Sequence, residues 1–103
     1  MTTLSTHVLD TTTGEPAVGL EVHLAIYHDG DWQHVVRGHT DGDGRFAFGQ
    51  IESGRHRVGF ETGAYGNDMY PFVHVVFEAS PAREHYHIPL LLSEYGYTTY
   101  RGS

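Results

Sequence analysis

The sequence predicts an all-β protein, an antiparallel β-sandwich of about eight short strands. In several short segments apolar side chains alternate with polar ones, which is the pattern of a strand with one buried face. Glycine, aspartate and proline separate these segments at short intervals, as expected for the turns of a sandwich. No segment has apolar residues at helical spacing, so we expect at most a very short helix.

The first half of the chain shows the alternation most clearly. A first strand is predicted at Thr6–Asp10. From Val18 to Ile26 every second residue is apolar, which predicts a strand with one oily face and one wetter face. A turn rich in aspartate and glycine then leads into a strand through Trp32 and Val36.

The second half continues the pattern with shorter elements. A second turn of aspartate and glycine precedes a short strand that carries Phe46 and Phe48 on one side. The connection over residues 62–71 contains two glycines, so at most one helical turn is expected there. The remaining predicted strands are Arg55–Glu61, Phe72–Glu78, Glu84–Leu92 and Tyr95–Arg101.

Length and composition limit the classes of protein that fit. With 103 residues, the chain is predicted to form one domain over residues 1–103. A net charge of −7 argues against nucleic acid binding, which needs a cationic face. No apolar run approaches the roughly 20 residues that cross a bilayer. Because neither a secretory signal nor a Ser-Lys-Leu ending is visible, we expect a cytoplasmic protein.

The chain has no cysteine and nine histidines. The absence of cysteine excludes a disulfide framework and thiolate catalysis. Histidine titrates near neutral pH and serves as a general acid or base, so the histidines are the first chemical indication of function. Six of them lie in no motif and are interpreted as surface or sheet-face residues: His23, His28, His34, His39, His56 and His74.

Strand alternation places the other three histidines and one arginine on outward faces. In Glu84–Leu92 the apolar residues occupy the even-numbered positions, so His85 and His87 point the opposite way. By the same argument Arg45 points to the face away from Phe46, and His7 points to the face away from Val8. A flat, wet sheet face screens charges and holds no substrate, so a second subunit is expected to cover it.

Local patterns in the sequence bear on three other kinds of site. His85 and His87 have the spacing of a metal-binding pair, and His7 could supply a third ligand to zinc. The segment that begins at Asp41 superficially resembles a calcium loop, but Arg45 occupies a ligand position and a phenylalanine replaces the required glycine. No nucleophile elbow surrounds the terminal serine, so serine hydrolase chemistry is not expected.

Three separated segments, Leu4–Asp10, His85–Leu92 and Ser93–Ser103, resemble in order the motifs of the 5-hydroxyisourate hydrolases. These enzymes are a branch of the transthyretin-like proteins, and the resemblance runs over nearly the whole chain. It implies the sandwich fold and a homotetramer built as a dimer of dimers, with sites in a central channel. It also implies hydrolysis of 5-hydroxyisourate without a metal or an organic cofactor.

The same resemblance implies roles for individual residues. His7 and His87 match the family's catalytic histidines, and Arg45 matches its substrate-binding arginine. Ser103 is expected to hydrogen-bond the substrate or a water molecule. The other pocket-lining members of the tail are Tyr100, Arg101 and Gly102.

The chain departs from the family pattern in two places. Its connection over residues 62–71 is shorter than usual, and Glu94 stands where the family has proline. The rival class is a small-ligand carrier of the transthyretin kind, which binds without chemistry. Paired histidines, an arginine and an Arg-Gly-Ser ending favour the enzyme, because a carrier needs none of them together.

Overall fold

The computed structural model describes Met1–Ser103 and consists of ten strands and one short helix, α1 (Thr62–Tyr65). The strands form two sheets that pack face to face, which confirms the predicted all-β sandwich. No helix is long and apolar enough to cross a membrane. The strands are β1 (Thr2–Asp10), β2 (Glu15–Pro16), β3 (Glu21–His28), β4 (Asp31–His39), β5 (Arg45–Ile51), β6 (Gly54–Phe60), β7 (Val73–Ala79), β8 (His85–His87), β9 (Leu90–Leu92) and β10 (Tyr97–Thr99).

Strand β1 is the centre of the first sheet. β5 and β2 pair antiparallel with one edge of β1, while β8 and β9 pair parallel with its other edge. β10 then pairs antiparallel with β9. The parallel pairs depart from a purely antiparallel sandwich, and they are possible because the chain crosses the second sheet between β1 and β8.

The second sheet is antiparallel throughout, in the order β4-β3-β6-β7. The inner faces of the two sheets pack on each other through side chains that are almost completely buried. Each such leucine or phenylalanine contributes about 1.5–3 kcal/mol relative to an exposed position. The largest of them are Phe60, Leu4, Leu20, Leu24, Leu90 and Leu92.

The predicted strand Glu84–Leu92 is interrupted and forms β8 and β9. Pro89 has no amide hydrogen, so it cannot donate to the ladder and ends the first of the two strands. The neighbouring groups remain satisfied, because the Ile88 amide donates to the Ser5 carbonyl at 3.0 Å and the Thr99 hydroxyl donates to the Pro89 carbonyl at 2.8 Å. Tyr86 and the later even-numbered residues are buried as predicted, and only Pro89 interrupts the alternation, because it is buried as well.

The prediction that Val18 belongs to the second strand is wrong. Its side chain is 54% exposed, and β3 begins only at Glu21. Gly19 has a φ of +73°, a conformation that turns the chain before the strand. Leu20 is nevertheless buried, and its amide donates to the Thr40 hydroxyl at 2.9 Å.

The connection between β6 and β7 contains a single helical turn, as predicted from its glycines. Hydrogen bonds to the segment before β7 and to the end of β1 hold this helical turn in place. The Thr62 hydroxyl donates to the Tyr70 carbonyl at 2.6 Å, and the Gly63 amide donates to the Pro71 carbonyl at 2.8 Å. The Tyr65 hydroxyl donates to Asp10 at 3.0 Å, which ties the turn to the end of β1.

The interpretation of His56 as a surface or sheet-face residue is wrong, because its side chain is buried. His56 lies in β6, is only 1% exposed, and stacks on Phe77 with ring centroids 5.7 Å apart. Its Nδ1 donates to the Gly54 carbonyl at 3.0 Å. Burial disfavours the charged imidazolium and therefore lowers the pKa of His56 below its ordinary value.

This burial links stability to pH. Because the folded-state pKa of His56 lies below its unfolded value, the unfolded chain binds more protons as the pH falls through about 6.5, and the free energy of unfolding decreases. Replacing His56 with Gln removes this contribution. Urea unfolding between about pH 7 and pH 5 should therefore show a shallower loss of stability in His56→Gln than in the parent protein.

His74 and His87 keep part of the slope, because their pKa values are also lowered, chiefly by burial. The matched control is Val75→Ala, which removes apolar packing and should lower the free energy of unfolding equally at every pH. An unchanged pH slope in His56→Gln would contradict the assignment of His56.

Candidate active site

The outer face of the first sheet gathers the candidate residues around the first half of β1. The period of the strand directs Ser5 and His7 outward, while Leu4 and Val8 are buried beneath them. His7 lies opposite Arg45 on β5. Ser5 lies opposite His87 on β8, across the other edge of β1. The pairing of β1 with both neighbours therefore brings three segments distant in sequence onto one face.

A shallow depression of about 320 Å³ lies on this face and contains Arg45 and His87. Its walls combine side chains from all three strands with Asp41 of the turn before β5 and His39 at the end of β4. A larger cleft of about 490 Å³ lies at the other end of the sheet, beside α1 and the turn between β9 and β10. That cleft contains no histidine and no arginine, so the smaller depression is the candidate active site. Its other lining residues are Ser5, Thr6, His39, Asp41, Phe46 and Ala47.

His87 is half-buried at the floor of this depression. Its Nδ1 lies 2.8 Å from the Ser5 hydroxyl, which leaves Nε2 as its free ring nitrogen. Burial lowers the pKa of His87, and the nearby charges of Arg45, His7 and His85 lower it further. The imidazole is therefore predominantly neutral near neutral pH, as a general acid–base group requires.

His7 is oriented by the turn before β5. Its Nε2 lies 2.8 Å from the backbone carbonyl oxygen of Asp43. A carbonyl oxygen can only accept, so Nε2 carries the proton and donates it. In the neutral ring Nδ1 is then the unprotonated nitrogen, and it has the lone pair that a general base uses.

Arg45 is the first residue of β5 and follows a turn that Asp41 organises. The Asp41 carboxylate accepts hydrogen bonds from the backbone amides of Arg45 at 3.0 Å and Asp43 at 2.9 Å. These two hydrogen bonds lower the pKa of Asp41. Arg45 forms no salt bridge with a carboxylate of the chain. Its guanidinium donors therefore remain available to a ligand.

The C-terminal tail reaches the site through its backbone. The Gly102 amide donates to the His87 carbonyl at 2.7 Å, so the last residues lie along the outer side of β8. A side chain at Gly102 would not fit, because its Cβ would lie 2.8 Å from Cδ2 of His87. Ser103, Tyr100 and Arg101 are exposed, and only Gly102 is half-buried.

One neighbour of the site, Ser5, was not singled out from the sequence. Ser5 contacts both His85 and His87, with Oγ lying 2.9 Å from Nε2 of His85 and 2.8 Å from Nδ1 of His87. The signal was available, since Ser5 shares the outward face of β1 with His7. The zinc alternative finds no support in the geometry, because no group of three or more histidine, cysteine, aspartate or glutamate side chains comes together.

Residues 4–102 match the model of the HIUase/Transthyretin family. The chain belongs to this family. The 5-hydroxyisourate hydrolase of Salmonella typhimurium is 47% identical, in an alignment that covers 97% of this chain and 80% of the relative. This chain is thus similar in sequence to a protein that is named for the hydrolysis of 5-hydroxyisourate.

Two solved structures show how widely the fold is used within the family. The 5-hydroxyisourate hydrolase of Klebsiella pneumoniae superposes with a TM-score of 0.85 at 33% identity, covering 100% of both chains. Sea bream transthyretin in complex with thyroxine superposes with a TM-score of 0.88 at 32% identity, covering 96% of this chain and 93% of the transthyretin. Backbone similarity therefore does not separate the two, and the side chains of the site carry the functional argument.

Gly102 tests whether the tail and His87 are in contact. In Gly102→Ala the added methyl group would displace either the tail or the His87 ring, because the Cβ approach of 2.8 Å is too close. The nuclear magnetic resonance signals of the His87 ring should therefore shift. Gly96→Ala is the matched control, since its Cβ would meet only the Ser93 hydroxyl at an ordinary 3.7 Å. Equal, negligible shifts of the His87 signals in both variants would show that the tail does not contact this ring.

Proposed function

We propose that this chain hydrolyses 5-hydroxyisourate, the oxidised purine formed from urate, by opening its six-membered ring. The observation that carries the proposal is that His7, Arg45 and His87 share one sheet face, where Arg45 and His87 line the depression and His7 lies beside Arg45. The chain is also 47% identical to a Salmonella protein named 5-hydroxyisourate hydrolase. A small planar ring rich in carbonyl and amide groups matches a depression of about 320 Å³ that combines hydrogen-bond donors with ring nitrogens.

The two histidines share the proton transfers of the proposed reaction. Water attacks a ring carbonyl beside an amide nitrogen, and one histidine takes the proton that the water loses. The other histidine gives a proton to the nitrogen that leaves. The unprotonated Nδ1 of His7 suits the first task, and the free Nε2 of His87 suits the second.

Arg45 and the tail serve the same step in different ways. As the carbonyl becomes tetrahedral, negative charge grows on its oxygen, and the unpaired guanidinium of Arg45 is placed to stabilise it. Ser103 and its neighbours Tyr100, Arg101 and Gly102 hold the ring and the water in line. Positioning of this kind lowers a barrier by several kcal/mol. The chemistry assigned to these side chains uses no cofactor.

The proposed active form is a homotetramer, a dimer of dimers in which neighbouring subunits cover this sheet face. In one chain His7 and His87 are only partly buried and Arg45 is exposed, so water screens the charges that the reaction needs. Closed symmetric assembly is the usual way in which a small domain shelters such a face. The cytoplasmic location stays a prediction, to be checked by cell fractionation.

The hydrolysis is tested by following the ultraviolet absorbance of freshly prepared 5-hydroxyisourate against its spontaneous decay. His7→Asn and His87→Asn should each lower kcat by about 10²–10⁴-fold, because each removes one acid–base group. Arg45→Lys keeps the charge but loses the planar fork of donors, and it should lower kcat/KM. His34→Asn, on the opposite sheet, is the matched control and should retain full turnover.

The rival readings give different results in the same assay. Binding of thyroxine without any acceleration of decay would favour a transthyretin-type carrier. Loss of turnover with a chelator would favour the zinc alternative of His7, His85 and His87. Full activity in both asparagine variants would remove the acid–base proposal.

A further inference from the structure

The outer face of the first sheet carries a continuous row of hydrogen-bonded side chains that ends at His87. Thr3 Oγ1 lies 2.6 Å from Nδ1 of His85, and Nε2 of the same ring lies 2.9 Å from Ser5 Oγ. Ser5 Oγ in turn lies 2.8 Å from Nδ1 of His87. The proposed function assigns no role to His85, although both of its ring nitrogens are engaged.

The row is a consequence of the parallel pairing of β1 with β8. In that register Thr3 lies opposite His85 and Ser5 lies opposite His87. Since alternate residues of both strands project to the same face, hydroxyl and imidazole groups alternate at hydrogen-bonding distance. The backbone thus fixes the row, and His85 is its link toward the solvent-exposed end.

The Ser5 hydroxyl couples the two rings because it has a single proton and lies between two ring nitrogens. It donates that proton to one nitrogen and accepts a proton from the other. If Ser5 donates to Nδ1 of His87, then His87 carries its own proton on Nε2, and His85 donates from Nε2 to Ser5. If the direction reverses, His87 carries its proton on Nδ1 and presents a lone pair at Nε2. The state of one ring therefore dictates the state of the other.

We propose that Ser5 and His85 are positioning residues for His87, and that the row from Thr3 to His87 sets which ring nitrogen of His87 is protonated. In the first arrangement Nε2 of His87 presents a proton to the depression, as an acid that serves the leaving nitrogen must. The hydrogen bonds themselves do not depend on what is hydrolysed. Only their part in turnover rests on the proposed function.

The proton transfers along the row balance. His87 gives its Nε2 proton to the leaving nitrogen, while Ser5 gives its hydroxyl proton to Nδ1 of His87. His85 gives its Nε2 proton to Ser5, and Thr3 gives its hydroxyl proton to the unprotonated Nδ1 of His85. A solvent acid restores the Thr3 hydroxyl. After product release a proton from solvent adds to Nε2 of His87, the row shifts in the reverse direction, and Thr3 returns one proton to solvent. Over the whole cycle one net proton enters from solvent, one proton reaches the substrate, and both imidazoles stay neutral.

The charged and titratable surroundings favour such a neutral row. His7 on β1, Arg45 on β5 and His85 on β8 all face His87, and with burial they lower its pKa. His39 and Asp41 line the same depression. An isolated imidazolium at His87 would be disfavoured there, whereas a shift of protons between neutral groups creates no buried charge.

The coupling is measured directly by the ¹⁵N chemical shifts of the His87 ring, which report the protonation of each nitrogen and need no substrate. In Ser5→Ala and in His85→Gln both shifts of His87 should change, although His85 reaches His87 only through Ser5. His34→Gln, on β4 of the other sheet, is the matched control. His87 shifts in His85→Gln that equal those of the control would overturn the proposal. Retained thermal melts exclude unfolding as the cause of any change.

Turnover supplies the second measurement. Ser5→Ala should lower kcat for 5-hydroxyisourate by about 10–100-fold with little change in KM, a loss typical of partners that orient a functional histidine. Ser5→Thr keeps the hydroxyl and should recover most of this loss. A Ser5→Ala enzyme with the parent's kcat at every pH would overturn the relay. If the parent protein itself does not hydrolyse the compound, the proposed function fails, while the ¹⁵N shifts still decide whether the rings are coupled.

Discussion

The pairing of β1 on both of its edges is the constraint on which the rest of the molecule depends. One edge takes β5 in antiparallel register, and this sets Arg45 opposite His7. The other edge takes β8 in parallel register, and this sets His87 opposite Ser5. A slip of one residue in either register would turn these side chains into the core. Burial of Leu4 and Val8 on the inner face of β1 therefore also fixes the chemistry on its outer face.

Much of this arrangement could be predicted because alternation is a local property of the sequence. The alternating residues around Phe46 and Tyr86 show which side of each strand is apolar. The outward direction of Arg45 and His87 is therefore predictable from the sequence. The resemblance to a known family added which of these outward groups matter. Neither the alternation nor the family resemblance predicts the register between strands. The register decides which side chains become neighbours across the sheet.

The failures have physical causes that a local pattern does not contain. Val18 continues the alternation, but the backbone turns at Gly19 before the strand begins. His56 reads as one more polar residue, but an aromatic neighbour and a backbone acceptor make its burial tolerable. The partnership of Ser5 with His85 depends on a parallel pairing between residues some eighty positions apart, which no short segment reveals.

The fold itself does not determine the activity, since sea bream transthyretin shares it at a TM-score of 0.88. The activity proposed for this chain depends on a set of groups suited to proton transfer and charge stabilisation, on a face that a single copy leaves partly open to water. The proposed reaction therefore requires that other subunits cover this sheet face. The tail lies along β8 through the hydrogen bond from the Gly102 amide to the His87 carbonyl.

The most direct measurement combines analytical ultracentrifugation with specific activity over a dilution series. We expect a particle of four times the 11.5 kDa chain mass, with an activity per chain that falls in step with dissociation. A dissociated monomer with the full activity of the assembled protein would contradict this expectation.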